Sequence, residues 1–302
     1  MAYEQEDRIG QLKDYVKEMS ETMYHMFIEW YLTFHRPMTE CEIMSMNMYK
    51  MMIWKAKTIL LLSDGIEILP TQKDIIYNPS NMYPVLRSMF EMLLLFRCIY
   101  ASSKNDLETE LLLKLWKIRG NDNLIVIPNS ELDEELRSKK ESAKQENKIL
   151  RTDILGLANE LSLSPAITDS ILKNTYIVSP TLKGYMFEHC TNCDKITAFR
   201  ELNFSDNAMN TALAGASYRY SQFSAHSHPS FLGVKSFEDT YYKHEEKRET
   251  MKILGNTVHF LHLFIKDFCE YREEYRHIYE ERGNRIEEIV QQVNETATAT
   301  EP

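Results

Sequence analysis

The sequence predicts an all-α protein, on three observations. Only nine glycines and nine prolines punctuate 302 residues, too few breakers for a many-turned β fold. Apolar residues recur at steps of three and four over long stretches, the period of a helix face. Between residues 131 and 149 charges of both signs interleave densely, the mark of a solvated helix. Hydrophobic residues make up 43% and charged residues 26%, which is ordinary for a globular chain long enough to bury a sizeable core.

The first helix is expected from about Asp7 to Phe34, with Leu12, Tyr15, Val16, Met19, Met23, Met26, Phe27 and Trp30 on one face. Pro37 breaks it. Thr39 and Glu42 form a capping box for a second helix, ending near Ser63 before Asp64-Gly65. That helix carries Met44, Met46, Met48, Met51 and Met52, which suit either a forgiving core or a binding face for a partner protein. "EILPTQKDIIYNPS" reads as a loop with a short turn. From about Met82 to Ala101 the chain is apolar nearly all round, so this helix belongs at the centre of a bundle. It nevertheless carries Arg87, Glu91 and Arg97. Charge buried there needs a partner, and Arg87 and Glu91 lie one helical turn apart.

Further helices are expected over Asp106–Lys117 and about Glu131–Leu161, with a short one starting near Pro165. "RGNDNLIVIPNS" reads as a loop with at most a short extended piece. The clear helical signal returns from Ser205 to about Ala225, where Ala208, Ala212, Ala214, Gly215 and Ala216 allow close packing. It returns again over a long helix from about Lys247 to Glu281, with Ile253, Leu254, Val258, Leu261, Ile265 and Phe268 on its apolar side. The expected organisation is therefore N-terminal bundle helices over 1–103, an inserted helical segment over 104–204, and bundle-completing helices over 205–282. A polar, disordered tail is expected over 283–302.

Net charge is −10, the wrong sign for coating nucleic acid non-specifically, though a locally basic cleft could still act on it. The charged N-terminus shows no apolar signal segment, and "TILLL" and "MLLLF" are far too short to span a bilayer. A cytoplasmic protein with no membrane partner is expected. Five scattered cysteines make no disulfide framework. Cys190 and Cys193, beside His189, have a zinc-like spacing but lack a second ligand pair, so free thiols are the simpler reading. His259 and His262 could face one metal or be satisfied core residues. No cofactor is expected.

The densest collection of chemistry-bearing groups is "YRYSQFSAHSHPSFLG", Tyr218 to Gly233. Arg219 and His226 lie seven residues apart, which is two helical turns, about 10 Å of rise, and nearly one face. Tyr218 shares part of that face and Ser224 lies nearer its edge. Pro229 ends the helix near His226 or His228, where the last carbonyls favour a cationic imidazole. A guanidinium can grip a phosphate, and an imidazole can move a proton near neutral pH. RNA supplies its own nucleophile in the 2′-hydroxyl, so this chemistry needs no metal. The same residues could equally form a polar network that fixes helix register.

Arg219, six intervening residues and His226 resemble the arginine–histidine motif of the HEPN superfamily. The pairing of "LRSMFEMLLL" with "YRYSQFSAHSHPS" is similar to a HEPN-related bacterial family of unknown function. The resemblance covers Thr39–Ala101 and Ser205–Glu281. It implies an antiparallel helical bundle, a homodimer, and metal-independent RNase activity of the toxin or antiviral-defence kind. Arg219 and His226 would be catalytic, with Tyr218, Ser224 and His228 placing RNA and Arg87 and Glu91 ordering the site. Where the family has Asn, Asp or His after the arginine, this chain has Tyr220. The other function class these residues allow is a non-catalytic module that binds a nucleotide, a peptide or a partner protein.

Overall fold

The computed structural model describes residues 2–33, 36–69, 72–176, 184–191, 195–202, 216–227 and 231–298. In chain order the elements are α1 (Ala2–Thr33), α2 (Glu40–Leu62), β1 (Ile66–Leu69), β2 (Gln72–Ile76), α3 (Pro79–Phe96), α4 (Asp106–Ile125), α5 (Glu134–Glu160), α6 (Pro165–Tyr176), β3 (Gly184–His189), β4 (Ile196–Leu202), α7 (Ala216–Ser227), α8 (Phe231–Tyr242), α9 (Glu246–Tyr271) and α10 (Glu273–Thr298). The protein is all-α in class, with two small antiparallel hairpins added. It divides into two compact units, residues 1–96 with 214–302, and residues 97–213.

The first unit is a helical bundle in which α9 packs against α1, α2, α3 and α10. The face expected of α1 is its core face: Val16, Met19, Met23 and Met26 are fully buried. The capping box forms as expected, with Glu42 N–H donating to Thr39 Oγ1 and Thr39 N–H donating to Glu42 Oε2. An aromatic cluster fills the centre, with ring centroids 4.9 Å apart for Tyr49–Phe268 and 4.6 Å apart for Phe96–Phe264. Within it the Tyr275 hydroxyl donates to that of Tyr49, which in turn donates to the Met23 carbonyl. Three of the α2 methionines, Met46, Met48 and Met52, belong to this core. The outward face of α2 shows Met51 together with Ile43, Trp54 and Leu61.

Three expectations in this unit need correction. In the stretch "EILPTQKDIIYNPS", read as a loop, β1 and β2 pair antiparallel, with Ile66 opposite Ile76 and Leu69 opposite Gln72. Their β-branched isoleucines suit a pleated strand. The long helix expected over 247–281 is two helices. Arg272 is extended, with φ −131° and ψ 111°, and its guanidinium reaches the buried Glu42 carboxylate at 3.0 Å. A continuous apolar period does not register such a distant pull. The tail expected to be disordered from 283 is helical to Thr298. Ile286, Ile289, Val290 and Val293 recur at helical spacing and are buried, and α10 packs on α1 and α9.

Glu287 ties α10 to α9. It accepts from Tyr279 at 2.8 Å and pairs with His262 and Lys266, each at 3.1 Å. Partial burial opposes its charge, but these partners outweigh burial and hold its pKa at about 2, against an ordinary 4.5. A carboxylate whose folded value is depressed contributes stability above its unfolded value, and that contribution is lost as pH falls through the folded one. Stability is therefore expected to drop between about pH 4.5 and 2. Glu287→Gln should flatten that slope in urea denaturation measured across the window.

The second unit packs α4 on α5, α5 on α6, and the β3–β4 hairpin against α4 and α6. A π-helical turn, Arg97–Ala101, opens it. Two readings change here. Helix α4 does not stop near Lys117 but runs through "RGNDNLI" to Ile125. The turn-prone residues there are overruled by tertiary contacts. Arg119, 3% exposed, pairs with Asp122 at 3.1 Å, donates to Tyr185 OH at 2.6 Å, and donates to the Asn174 carbonyl at 2.8 Å. The hairpin was not expected, though Tyr185 and Phe187 alternate inward along β3 as a half-buried strand requires.

Candidate functional site

Of the stretch singled out at Tyr218–Gly233, residues 218–227 lie on α7 and residues 231–233 begin α8, and α7 packs on α3. Two successive turns of α3 meet two faces of α7. On the first, Arg87 Nε donates to Glu91 Oε1 at 2.9 Å, Nη2 donates to Tyr220 OH at 2.9 Å, and Nη1 donates to Ser224 Oγ at 3.3 Å. The guanidinium also stands 5.1 Å from the centre of the Tyr220 ring. Burial works against the Arg87 charge, yet Glu91 and Tyr220 together hold its pKa above the ordinary value. Lys55 donates to Ser88 Oγ at 2.7 Å close by. Its pKa is pulled down by burial and only partly restored by Glu91.

One turn earlier on α3, Tyr83 meets His226. The two rings stack with centroids 4.2 Å apart and planes 12° apart. The Tyr83 hydroxyl donates to Glu249 Oε2 at 2.6 Å, and Lys252 holds the other carboxylate oxygen at 2.5 Å. Phe223 backs this pair, packed on both Tyr83 and Phe90. Ser236 Oγ lies 3.4 Å from His226 Nε2. Residues of α3, α7, α8, α9 and the turn between α8 and α9 line an open cavity of about 250 Å³ with His226 on its wall.

The helix end does not make His226 cationic, contrary to expectation. Burial pulls its pKa below the ordinary 6.5, with Glu249 pulling up and Lys252 pulling further down. The imidazole is therefore neutral at pH 7 and able to accept a proton. Which ring nitrogen carries its hydrogen depends on the bond to Ser236.

The expected site residues thus fall into two groups. Arg87, Glu91 and Ser224 come together around one guanidinium. Ser224 faces Arg87 and is not part of the cavity wall. His226 stands with Tyr83 and Glu249. Arg219 and Tyr218 are on α7, but their side chains lie outside the described residues, and so does His228 entirely. Tyr83, Ser236, Glu249 and Lys252 were not singled out from sequence. Tyr83 had a signal, sitting one turn before Arg87. Glu249 had none, because its bond to Tyr83 spans 166 residues. Tyr83→Phe removes a hydrogen bond to a charged group and is expected to cost about 1.5–3 kcal/mol in denaturant unfolding.

Two of the other candidate histidines have carboxylate partners. His189 Nε2 lies 3.1 Å from both oxygens of the buried Glu108. His262 is committed to Glu287. Among the described residues no cluster of His, Cys, Asp and Glu could hold a metal ion, and Cys193 lies outside them. No described helix is long and apolar enough to cross a membrane. Comparison of the chain with protein-family models, with curated proteins and with solved structures found no match in any of the three.

Proposed function

We propose that the protein is a HEPN-like, metal-independent endoribonuclease. The observation that carries this reading is the neutral imidazole of His226, held flat on Tyr83 at the wall of a cavity. In the proposed reaction His226 takes the proton of an RNA 2′-hydroxyl. The 2′-oxygen attacks the adjacent phosphorus, the bond to the 5′-oxygen breaks, and that oxygen leaves with a proton drawn from solvent water, to which the His226 imidazolium returns the proton it took. Arg219, two turns earlier on α7, would hold the phosphate and offset its developing charge. Arg87 and Glu91 fix the register of α7 against α3, and so the place of His226. The homodimer, the cytoplasmic setting and the toxin or defence role that the family resemblance implies belong to the same proposal.

This chemistry has a signature. RNA incubated with the protein in EDTA is expected to give fragments ending in 2′,3′-cyclic phosphate, detectable by mass spectrometry. RNA carrying 2′-O-methyl groups should stay intact. Cleavage of the methylated strand would contradict the proposal.

A second reading is a non-catalytic helical module that binds a ligand in the same cavity. It is favoured by the wall itself, where three carboxylates, Asp239, Glu245 and Glu249, face one ammonium, Lys252. It is favoured too by Arg87, whose three donor nitrogens all have partners within the protein.

A further inference from the structure

We propose that the outward face shared by α1 and α2 is a stacking surface for unpaired RNA. The choice of RNA rests on the nuclease reading, whereas the binding itself needs no cleavage. Exposed rings, the lysines set among them and a local reversal of charge point to this ligand.

The two helices run antiparallel. Lys13 of α1 pairs with Asp64, just past the end of α2, and Phe27 lies against Tyr49 with ring centroids 6.5 Å apart. On this flank α1 carries aromatic residues at steps of three and four. Tyr24 and Tyr31 lie 6.4 Å and 6.1 Å from Phe27 between centroids, with planes 30° and 23° from that ring. The three rings thus form near-parallel steps along the helix. Tyr24 is 47% exposed and Tyr31 54%. Rings this open to solvent add little to the core, and each offers a π-face on which a base can stack whatever the sequence.

Lys50 joins α2 to the same row, its Nζ standing 5.8 Å from the centre of the Phe27 ring. Lys50 and Lys57 lie one helical turn to either side of Trp54, which is 62% exposed. A stacked base and its phosphate need a ring and a cation side by side, and this surface alternates the two. A partner helix would need an unbroken apolar seam instead. Here the seven-residue row that begins at Ile43 continues with Lys50 and Lys57, so charge interrupts it twice.

The chain as a whole carries −10, which repels a polyanion. From Ile43 to Ser63, by contrast, it holds three lysines and no carboxylate. One of them, Lys55, turns to Ser88 of α3, and the other two flank Trp54. On α1, Lys13 and Lys17 lie on the α2 side, Glu21 stands at the edge, and Glu18 is drawn away to Arg285 of α10. The result is a basic strip on an acidic molecule, which steers a polyanion to this face.

The test is fluorescence anisotropy of the full chain in EDTA with a labelled oligouridine of about 12 nucleotides, 2′-O-methylated throughout so that it cannot be cut. The same strand annealed to its complement is the control, because paired bases offer no free face. The single strand is expected to bind, and the duplex roughly tenfold more weakly. Trp54→Ala should lose about fivefold or more in affinity, the share of one stacked base, and Trp54→Phe should keep most of it. Lys50→Gln/Lys57→Gln should flatten the slope of log affinity against log salt by about 1.4, the value for two phosphates of a single strand. These side chains are exposed or half-exposed, so the variants are expected to melt like the wild type. Should Trp54→Ala melt early, the salt slope of the lysine variant decides. The proposal is overturned by an absence of binding, by equal binding of the duplex, or by folded variants of unchanged affinity. It is overturned too if sedimentation shows a dimer that Trp54→Ala dissociates, because the face then belongs to a second copy. Binding of the methylated strand by a protein that cuts no RNA would uphold this inference and remove the nuclease. RNA cleavage by a protein whose folded variants bind as tightly as the wild type would do the reverse.

Discussion

Arg119→Ala is expected to destabilise the second unit by about 3–5 kcal/mol, the cost of leaving a buried partner charge uncompensated. The reason lies in how fully the guanidinium is used. It is bonded to Asp122, to Tyr185 and to the carbonyl of Asn174, so it joins α4 to β3 and to the end of α6. Asp122, with 1% of its side chain exposed, would keep a long bond of 3.4 Å from Asn147. A neutral donor at that distance does not replace a guanidinium. The double variant Arg119→Met/Asp122→Leu removes both charges together and is expected to cost less than the single change. Urea unfolding followed by circular dichroism gives both values. A single variant as stable as the wild type would mean that the pair is not buried as described.

The second large effect is on activity. His226→Ala is expected to lower RNA cleavage by about 10²–10⁴-fold, the usual contribution of a positioned general acid or base. The bundle should stay folded, because the imidazole is only half-buried and its neighbour Tyr83 keeps its bond to Glu249. The pH dependence should agree in sign. A base must be unprotonated, and burial lowers the His226 pKa below 6.5. Activity should therefore persist on the acid side of that value and fall only as pH drops through the lowered one. Glu249→Gln removes a carboxylate that raises the His226 pKa. It should shift that acid limb further down.

Legibility in the sequence followed the range of the interaction. The capping box of Thr39 and Glu42 and the core face of α1 are local patterns, and both are present as read. The bond between Arg87 and Glu91 is local too, one turn of one helix. What could not be read is what distant residues do to local preference. Gly120, Asn121 and Asp122 look like a turn until Arg119 and Asp122 are seen buried inside a network with β3. The break at Arg272 follows from Glu42, on a helix far earlier in the chain. The strands of the hairpins are short enough to pass for loops beside such long helices.

The candidate site divides in the same way. The sequence of α7 offered both Arg219 and His226. Yet helical spacing alone favoured a cationic His226, because the dipole of the last turn can be read from sequence and the burial against Tyr83 and Phe223 cannot. The acidic lining was also hidden. Asp239, Glu245 and Glu249 come from α8, the turn after it, and the first turn of α9, and nothing in their spacing marks them as one wall.

The central claim is that His226 moves a proton in metal-independent RNA cleavage. The direct measurement is RNA cleavage in EDTA by the wild type, Arg219→Ala and His226→Ala, each shown by circular dichroism to be folded. The account predicts cleavage by the wild type and its loss in both variants. Cleavage that survives in folded His226→Ala, or that EDTA abolishes in the wild type, would contradict it.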